Sequence, residues 1–253
     1  MLVLLPPSET KHAGGDGAPL DLGSLTAPEL TPVRSGLVEA LVELAGDVPA
    51  SRTALGLSAG QDDQIARNAA LRTSPTLPAL SRYTGVLYDA LDVPTLTRAQ
   101  RARAGRRLAV GSALFGLLGG DDPVPAYRLS ANSSLPGRPP LPALWRPALS
   151  PLLGGLDELV VDLRSSAYAA LAPVPGSVSV RVVSERPNGV RAVVSHASKA
   201  HKGRLARLLA TTTSEPDDVD RLRRLLRRAG LHVEHDGGTA LTMVTPTPRA
   251  VGM

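Results

Sequence analysis

Short apolar runs alternate with segments of helical spacing along most of the chain. Met1–Leu5 is fully apolar and stops at two prolines, which predicts a buried first strand. Apolar residues recur at helical spacing within Arg34–Ala45, so we expect an amphipathic helix there. Residues 13–32 are rich in Gly, Pro and Thr and are predicted to form a loop. Thr97 is the predicted N-cap of a helix that leads an arginine run into an apolar segment.

The second half of the chain contains a predicted hairpin and a last strand. Val178–Val183 and Val190–Ser195 flank an Asn-Gly turn, which indicates an antiparallel hairpin, and the second run is predicted to be buried. Asp217–Ala229 begins with acid and ends with arginine, as a helix dipole favours. Ala240–Val244 is the predicted last strand, and residues 246–253 are expected to form a disordered tail. Neither a repeat nor a linker divides the chain, so we predict one α/β domain over residues 1–253, with a mixed sheet and surrounding helices.

Composition narrows the possible chemistry. Hydrophobic residues make up 43% of the chain but aromatic residues only 2%, so the core is expected to be aliphatic. The absence of cysteine excludes disulfides, thiolate catalysis and cysteine-based zinc sites. The apolar N-terminal run is too short for a signal peptide or a membrane span, so we expect a cytoplasmic protein without a membrane partner. A net charge of +5 is compatible with nucleic-acid binding without proving it.

Lysine is scarce, and its distribution marks one stretch. Of three lysines, Lys199 and Lys202 lie in Ser195–Arg207, while arginine supplies the other basic residues. Lysines that survive in such a chain are expected where a compact ammonium with an adjustable pKa is needed. The stretch lies between a predicted strand and a helix, where exposed amides and nearby lysines favour an anion such as phosphate. The alternative is chance placement on a solvated helix face.

Other candidate residues also lie at predicted element ends. Lys11 follows the first strand, where α/β folds place their sites, although a plain surface turn is the alternative. Tyr127 and Arg128 follow a proline-rich turn and are predicted to clamp a carboxylate or phosphate. The arginine run 98–107 forms either a phosphate-facing patch or a solvated helix, and its candidate phosphate contacts are Arg101, Arg106 and Arg107. We predict no metal site, because His232 and His235 would point to opposite faces of a regular strand and His196 and His201 imply no third ligand. We also predict no cofactor.

The order of the motifs resembles the YaaA peroxide-stress family over nearly the whole chain. The carrying segments are PPSETK after the first strand, TGVLYDAL with Gly85 and Tyr88, GSALFGLL, AYRL, Trp145, DLRSSAY and SKAHKGRLAR. No single motif is specific for this family, but the order and spacing of all of them together are specific for it.

The resemblance implies a YaaA-type fold with a helix-hairpin-helix-like element and a positively charged cleft. It also implies binding to double-stranded or distorted DNA with low sequence specificity, and a role in limiting free iron and oxidative DNA damage. Carried over position by position, the implied site residues are Lys11, Tyr127, Arg128, Lys199 and Arg204.

The chain departs from the family pattern at several positions. Glu9 stands where many members have lysine, and Ser130 and Ala131 replace a Glu-Met pair. Ala113 replaces the first glycine of the segment assigned to the hairpin, and such glycines let backbone amides approach a phosphate. This change places the hairpin's contact with DNA in doubt.

Two functional hypotheses follow. In the first, the protein binds DNA through phosphate contacts and protects it during peroxide stress. In the second, it is an enzyme for a small anionic or nucleotide-like substrate, with Lys11 or Lys199 as base or nucleophile, together with Tyr127, and with Arg128 as anion clamp. The enzyme hypothesis predicts that these groups surround a pocket, and a purely structural role for the motifs is the third possibility.

Overall fold

A computed structural model describes residues 1–186, 188–193, 195–235 and 237–246, and the statements below refer to these residues. The strands are β1 (Leu2–Leu5), β2 (Gly17–Pro19), β3 (Pro75–Pro78), β4 (Leu108–Ser112), β5 (Gly116–Gly119), β6 (Pro123–Val124), β7 (Val160–Asp162), β8 (Val178–Glu185), β9 (Arg191–Val193), β10 (His232–His235) and β11 (Ala240–Pro246). The α-helices are α1 (Thr31–Leu44), α2 (Val48–Leu55), α3 (Asp62–Ala69), α4 (Ala79–Arg82), α5 (Val86–Leu91), α6 (Arg98–Arg107), α7 (Leu141–Gly154), α8 (Ser166–Ala169), α9 (Ser195–Thr211) and α10 (Val219–Arg228).

Within the described ranges, eight strands form a mixed sheet surrounded by helices. Its order is β10-β11-β8-β7-β1-β4-β5, and β9 pairs with β8. The pairs β4–β1, β1–β7, β7–β8 and β8–β11 are parallel, while β5, β9 and β10 are added antiparallel. β2, β3 and β6 form a second, three-stranded sheet. The predicted α/β class with a mixed sheet is therefore confirmed.

The core is aliphatic around the central strand, as the composition predicts. Val3, Leu4 and Leu5 of β1 are fully buried, and leucines of α9 pack toward the sheet. Trp145 of α7 is buried and donates from Nε1 to the Ala113 carbonyl at 2.8 Å. A Cβ on Gly116 would lie 2.6 Å from the Trp145 ring, so the indole packs directly on backbone.

Several predicted elements differ in detail. The segment 13–32 contains β2 and two 3-10 helices, Leu22–Ser24 and Pro28–Leu30. The Thr97 N-cap is confirmed: its hydroxyl accepts from the Gln100 amide and the Gln100 side chain accepts from the Thr97 amide. Of the predicted tail, Pro246 ends β11 and residues 247–253 lie outside the described residues.

The prediction of a buried strand over Val190–Ser195 was wrong in length and in burial. The hairpin with β8 is present, but β9 covers only Arg191–Val193, and Val190 is 51% exposed. Among the described strands, β9 pairs with β8 alone, and Val194 lies outside the described residues. α9 begins at Ser195, so Lys199 lies inside the helix instead of before it.

The helix-hairpin-helix-like element is not confirmed. The segment assigned to it forms β4, a buried turn and β5, which is a β-hairpin within the main sheet. Ala113 in this turn is fully buried, and the amides of Leu114 and Phe115 donate to Ser112 Oγ. These amides are therefore already bonded inside the protein and do not face a phosphate.

Among the described residues, none of the helices combines the length and the apolar character needed to cross a bilayer.

Candidate functional site

A cleft of about 590 Å3 lies beyond the sheet edge where the parallel strands β1 and β7 end. Ligands of open α/β sheets bind in this position, outside the carboxyl ends of the strands. The walls come from the segments that follow β1 and β7, the start of α5, the loop 130–132 and the first half of α9. The lining residues are Pro6, Pro7, Ser8, Glu9, Thr10, Thr84, Gly85, Val86, Leu87, Tyr88, Ser130, Ala131, Asn132, Leu163, Ser165, Ala167, Tyr168, Ser198, Lys199 and Lys202.

Two lysines of α9 line this cleft. Residues three apart on a helix share a face, so Lys199 and Lys202 point to the same side. Lys199 is exposed, whereas Lys202 donates to the Leu163 carbonyl at 3.1 Å and thereby ties α9 to the end of β7. Burial lowers the pKa of Lys202, and the nearby carboxylate of Asp162 opposes that shift.

Lys11 lies directly beneath the cleft wall. Its side chain is buried, its Nζ donates to the Ser8 carbonyl at 2.9 Å, and it lies 4.1 Å from the centre of the Tyr127 ring. Burial, the larger cause, and the nearby Arg128 guanidinium together lower the pKa of Lys11 from 10.5 to about 7. The backbone is held in place because Lys11 forms an antiparallel bridge with Tyr83. The site therefore contains an amine that loses its proton near neutral pH.

A chain of hydroxyls runs beside Lys11. Ser112 Oγ already accepts from two backbone amides, so its own proton is free to bond Tyr127 Oη, 2.7 Å away. Tyr127 Oη in turn lies 2.8 Å from Tyr83 Oη, so the bonds run from Ser112 through Tyr127 to Tyr83. Burial raises the pKa of Tyr127 well above its ordinary value, which keeps this phenol protonated.

Arg128 bonds the carboxylate that projects into the cleft. Its Nη1 donates to Glu9 Oε2 at 2.8 Å, and its backbone is fixed by reciprocal bonds with the Asn68 side chain. Arg128 Nε is buried without a hydrogen-bond partner in the described part of the chain. Glu9 is the only carboxylate among the described residues that line the cleft, so the cations there outnumber the acids.

Other predicted site residues lie elsewhere. Arg204 is exposed on α9 but does not line the cleft. Arg107 is buried and donates to the carbonyls of Leu209 and Thr212 and to the Glu215 carboxylate, at the end of α9. Since a helix rises about 1.5 Å per residue, this end lies about 18 Å along α9 from Lys199.

The remaining arginines of α6 divide between bonded and exposed positions. Arg101 pairs with Asp121, and Arg103 donates to the Thr211 carbonyl at 2.7 Å. Arg98 and Arg106 are exposed. Of the predicted site residues, Lys199 and Lys202 line the cleft. Lys11 and Arg128 lie behind its wall, where they bond the lining residues Ser8 and Glu9, and Tyr127 packs against Lys11. The arginine run lies apart from this cleft.

Sequence reasoning missed the roles of Ser112, Tyr83 and Tyr168. The signal that could have found the tyrosines was the scarcity of aromatic residues: the chain has one Trp, four Tyr and one Phe, so each is a candidate for a specific role. Tyr83, Tyr88, Tyr127 and Phe115 form one cluster with ring centres 5.3–6.4 Å apart. Tyr168 lines the cleft, and burial raises its pKa to about 12.

The described residues hold no group of three or more His, Cys, Asp or Glu side chains suited to a metal ion.

Comparison with known proteins places this arrangement in a family. A family profile described as "Peroxide stress protein YaaA" matches residues 1–236. A UPF0246 protein of Corynebacterium efficiens is 47% identical over 247 residues, which covers 96% of this chain and 98% of the relative. A UPF0246 protein of Streptomyces coelicolor is 46% identical over 239 residues, or 92% of each chain.

Proposed function

Because the chain belongs to the family of the peroxide stress protein YaaA, we propose that it acts in the peroxide-stress response by binding DNA. The basic cleft contacts phosphates with little sequence readout. Occupation of DNA by the protein limits oxidative damage, and the limitation of free iron is an indirect consequence of the same role.

The observation that carries this proposal is the pair of lysines on one face of α9 at the cleft. Lys199 is exposed, so its ammonium is accessible to a phosphate at the rim. Lys202 adds a second positive charge to the lining, and the one lining carboxylate among the described residues, that of Glu9, is paired with Arg128. Phosphate contacts of this kind supply affinity and orientation but no base specificity.

Fluorescence anisotropy with labelled duplex DNA at several salt concentrations tests the proposal. Affinity should fall steeply with salt, since each neutralised phosphate contributes a slope of about −0.9 in log affinity against log salt. Lys199→Ala should weaken binding and make that slope shallower by about one contact. Arg228→Ala removes an exposed cation of α10 that lies away from the cleft, so it is the matched control. Equal losses of DNA affinity in Lys199→Ala and Arg228→Ala would contradict a phosphate contact at the cleft.

A second candidate function rests on Lys11. A buried amine whose pKa is lowered to about 7 is suited to accept a proton or attack a carbonyl at neutral pH, as an enzyme for a small anionic or nucleotide-like substrate requires. Arg128 and Lys199 would then hold the anionic group. Turnover would rise with pH through about 7 as the amine loses its proton. Lys11→Arg should abolish turnover, because a guanidinium stays protonated. Retained turnover in Lys11→Arg would exclude Lys11 as the base.

A further inference from the structure

The size of the cleft limits what can enter it. A volume of about 590 Å3 lies in the range that holds one small ligand, roughly 300–1,000 Å3. A base that stays stacked within the duplex cannot enter such a space, because a nucleotide reaches a protein pocket only after it leaves the stack. DNA bound at the rim would therefore lie over the cleft and leave its interior unfilled.

The chemistry of the walls differs between the interior and the mouth. Pro6, Pro7 and Val86 are half-buried and provide apolar surface, and the Tyr88 ring is held in place because its hydroxyl donates to the Pro6 carbonyl at 2.8 Å. Lys199 supplies positive charge at the rim. A ligand that matches this arrangement has a flat, largely apolar body and a phosphate at one end.

We infer that the cleft accommodates a single nucleotide, with its base between the apolar walls and its phosphate at Lys199. This inference deepens the proposed function and rests on it where the nucleotide belongs to DNA. The amide of Asn132 and the hydroxyl of Ser130 line the same space and offer hydrogen bonds to the edge of a base. The nucleotide comes either from an unpaired position that swings out of the duplex or from the free pool.

Extrusion of a nucleotide costs unstacking and unpairing free energy, and this cost is smallest where the base is already unpaired. Duplex DNA with one unpaired adenosine should therefore bind at least tenfold more tightly than the matched duplex. The additional affinity arises inside the cleft, whereas the phosphate contacts at the rim are common to both DNAs.

The test uses Ala167→Trp, which places an indole in the cleft from its wall. Ala170→Trp is the matched control, since Ala170 is exposed and does not line the cleft. Ser165→Trp is a second blocking variant if Ala167→Trp does not fold. Fluorescence anisotropy measures the affinity for the matched duplex and for the duplex with one unpaired adenosine. Calorimetry measures the affinity for deoxyadenosine monophosphate.

We expect the tenfold ratio between the affinities for the unpaired-adenosine duplex and the matched duplex in the native chain and in Ala170→Trp, and a ratio near one in Ala167→Trp. Binding of the monophosphate without a gain on DNA would identify the free nucleotide as the source. If the monophosphate binds but no DNA does, the nucleotide site stands and the proposed DNA function fails. If the matched duplex binds, but the unpaired adenosine gives no gain and the monophosphate does not bind, the nucleotide inference fails and the proposed DNA function stands. A gain that survives both blocking variants also overturns it.

Discussion

Substitution of Lys11 by methionine should change how stability depends on pH. The Lys11 ammonium is only 8% exposed and rests against the ring of Tyr127, with carbonyl oxygens as its hydrogen-bond acceptors. Burial, the largest cause, and the charge of Arg128 lower its pKa from 10.5 to about 7. Methionine has a similar length and carries no charge, so it removes the titration and retains much of the packing.

The direction in which the free energy of unfolding changes with pH follows from which state binds the proton of Lys11. Below pH 7 both the folded and the unfolded chain carry the proton, and the folded state bears the full cost of the buried charge. Between pH 7 and 10.5 the unfolded chain binds this proton and the folded chain does not, so the free energy of unfolding rises with pH. The slope is about 1.4 kcal/mol per pH unit, and the full shift corresponds to about 5 kcal/mol.

Urea denaturation of the native chain and of Lys11→Met at pH 6, 7, 8 and 9 measures this effect. Subtraction of the two curves cancels the other titrating groups. The native chain should gain about 2.3 kcal/mol relative to the variant between pH 7 and 9, because the folded-state amine is still half protonated at pH 7. Lys199→Met, which removes an exposed lysine, is the control for the loss of one positive charge. A difference between the native chain and Lys11→Met that stays constant from pH 6 to 9 would refute the lowered pKa of Lys11.

Two further predictions concern the structure around the cleft. A Cβ on Gly203 would lie 2.1 Å from the Leu87 carbonyl, so Gly203→Ala should push α9 from α5 and destabilise the fold by about 2 kcal/mol, whereas Gly60→Ala, which meets open space, should not. Arg34 is fully buried and donates to four backbone carbonyls, so Arg34→Met should lower the free energy of unfolding by about 3–5 kcal/mol in urea titrations. Arg98→Met on the surface is its control, and equal midpoints for these two variants would contradict the assigned role of Arg34.

Local patterns were sufficient to predict much of the fold. The apolar run Met1–Leu5 contains β1, an inner strand that lies between β7 and β4. A strand buried on both faces needs no alternation of polar residues, so the run alone was sufficient to predict it. The scarcity of lysine predicted a site, and the structure brings Lys199 and Lys202 into one cleft with Lys11 beneath it. This gathering follows from topology, since the segments after β1 and β7 meet at the same sheet edge.

Other features depend on contacts between distant segments and leave no local trace. Arg107 belongs to an arginine run, yet it bonds carbonyls at the end of α9, more than 100 positions away. The end of a helix leaves carbonyls without partners, and only the tertiary arrangement decides which donor reaches them. The exposure of Val190 was missed for the same reason, because an apolar hairpin strand does not reveal whether another strand covers it.

The chain's three lysines allow a direct test of where DNA binds. Lys199 is exposed at the cleft, so an acetylating reagent can reach its amine. Acetylation by a limiting reagent, followed by mass spectrometry, reports the reactivity of each lysine with and without saturating duplex DNA. We predict that DNA protects Lys199 at least fivefold. Equal reactivity of Lys199 in the free and the DNA-saturated protein would contradict the assignment of the cleft as the DNA-binding site.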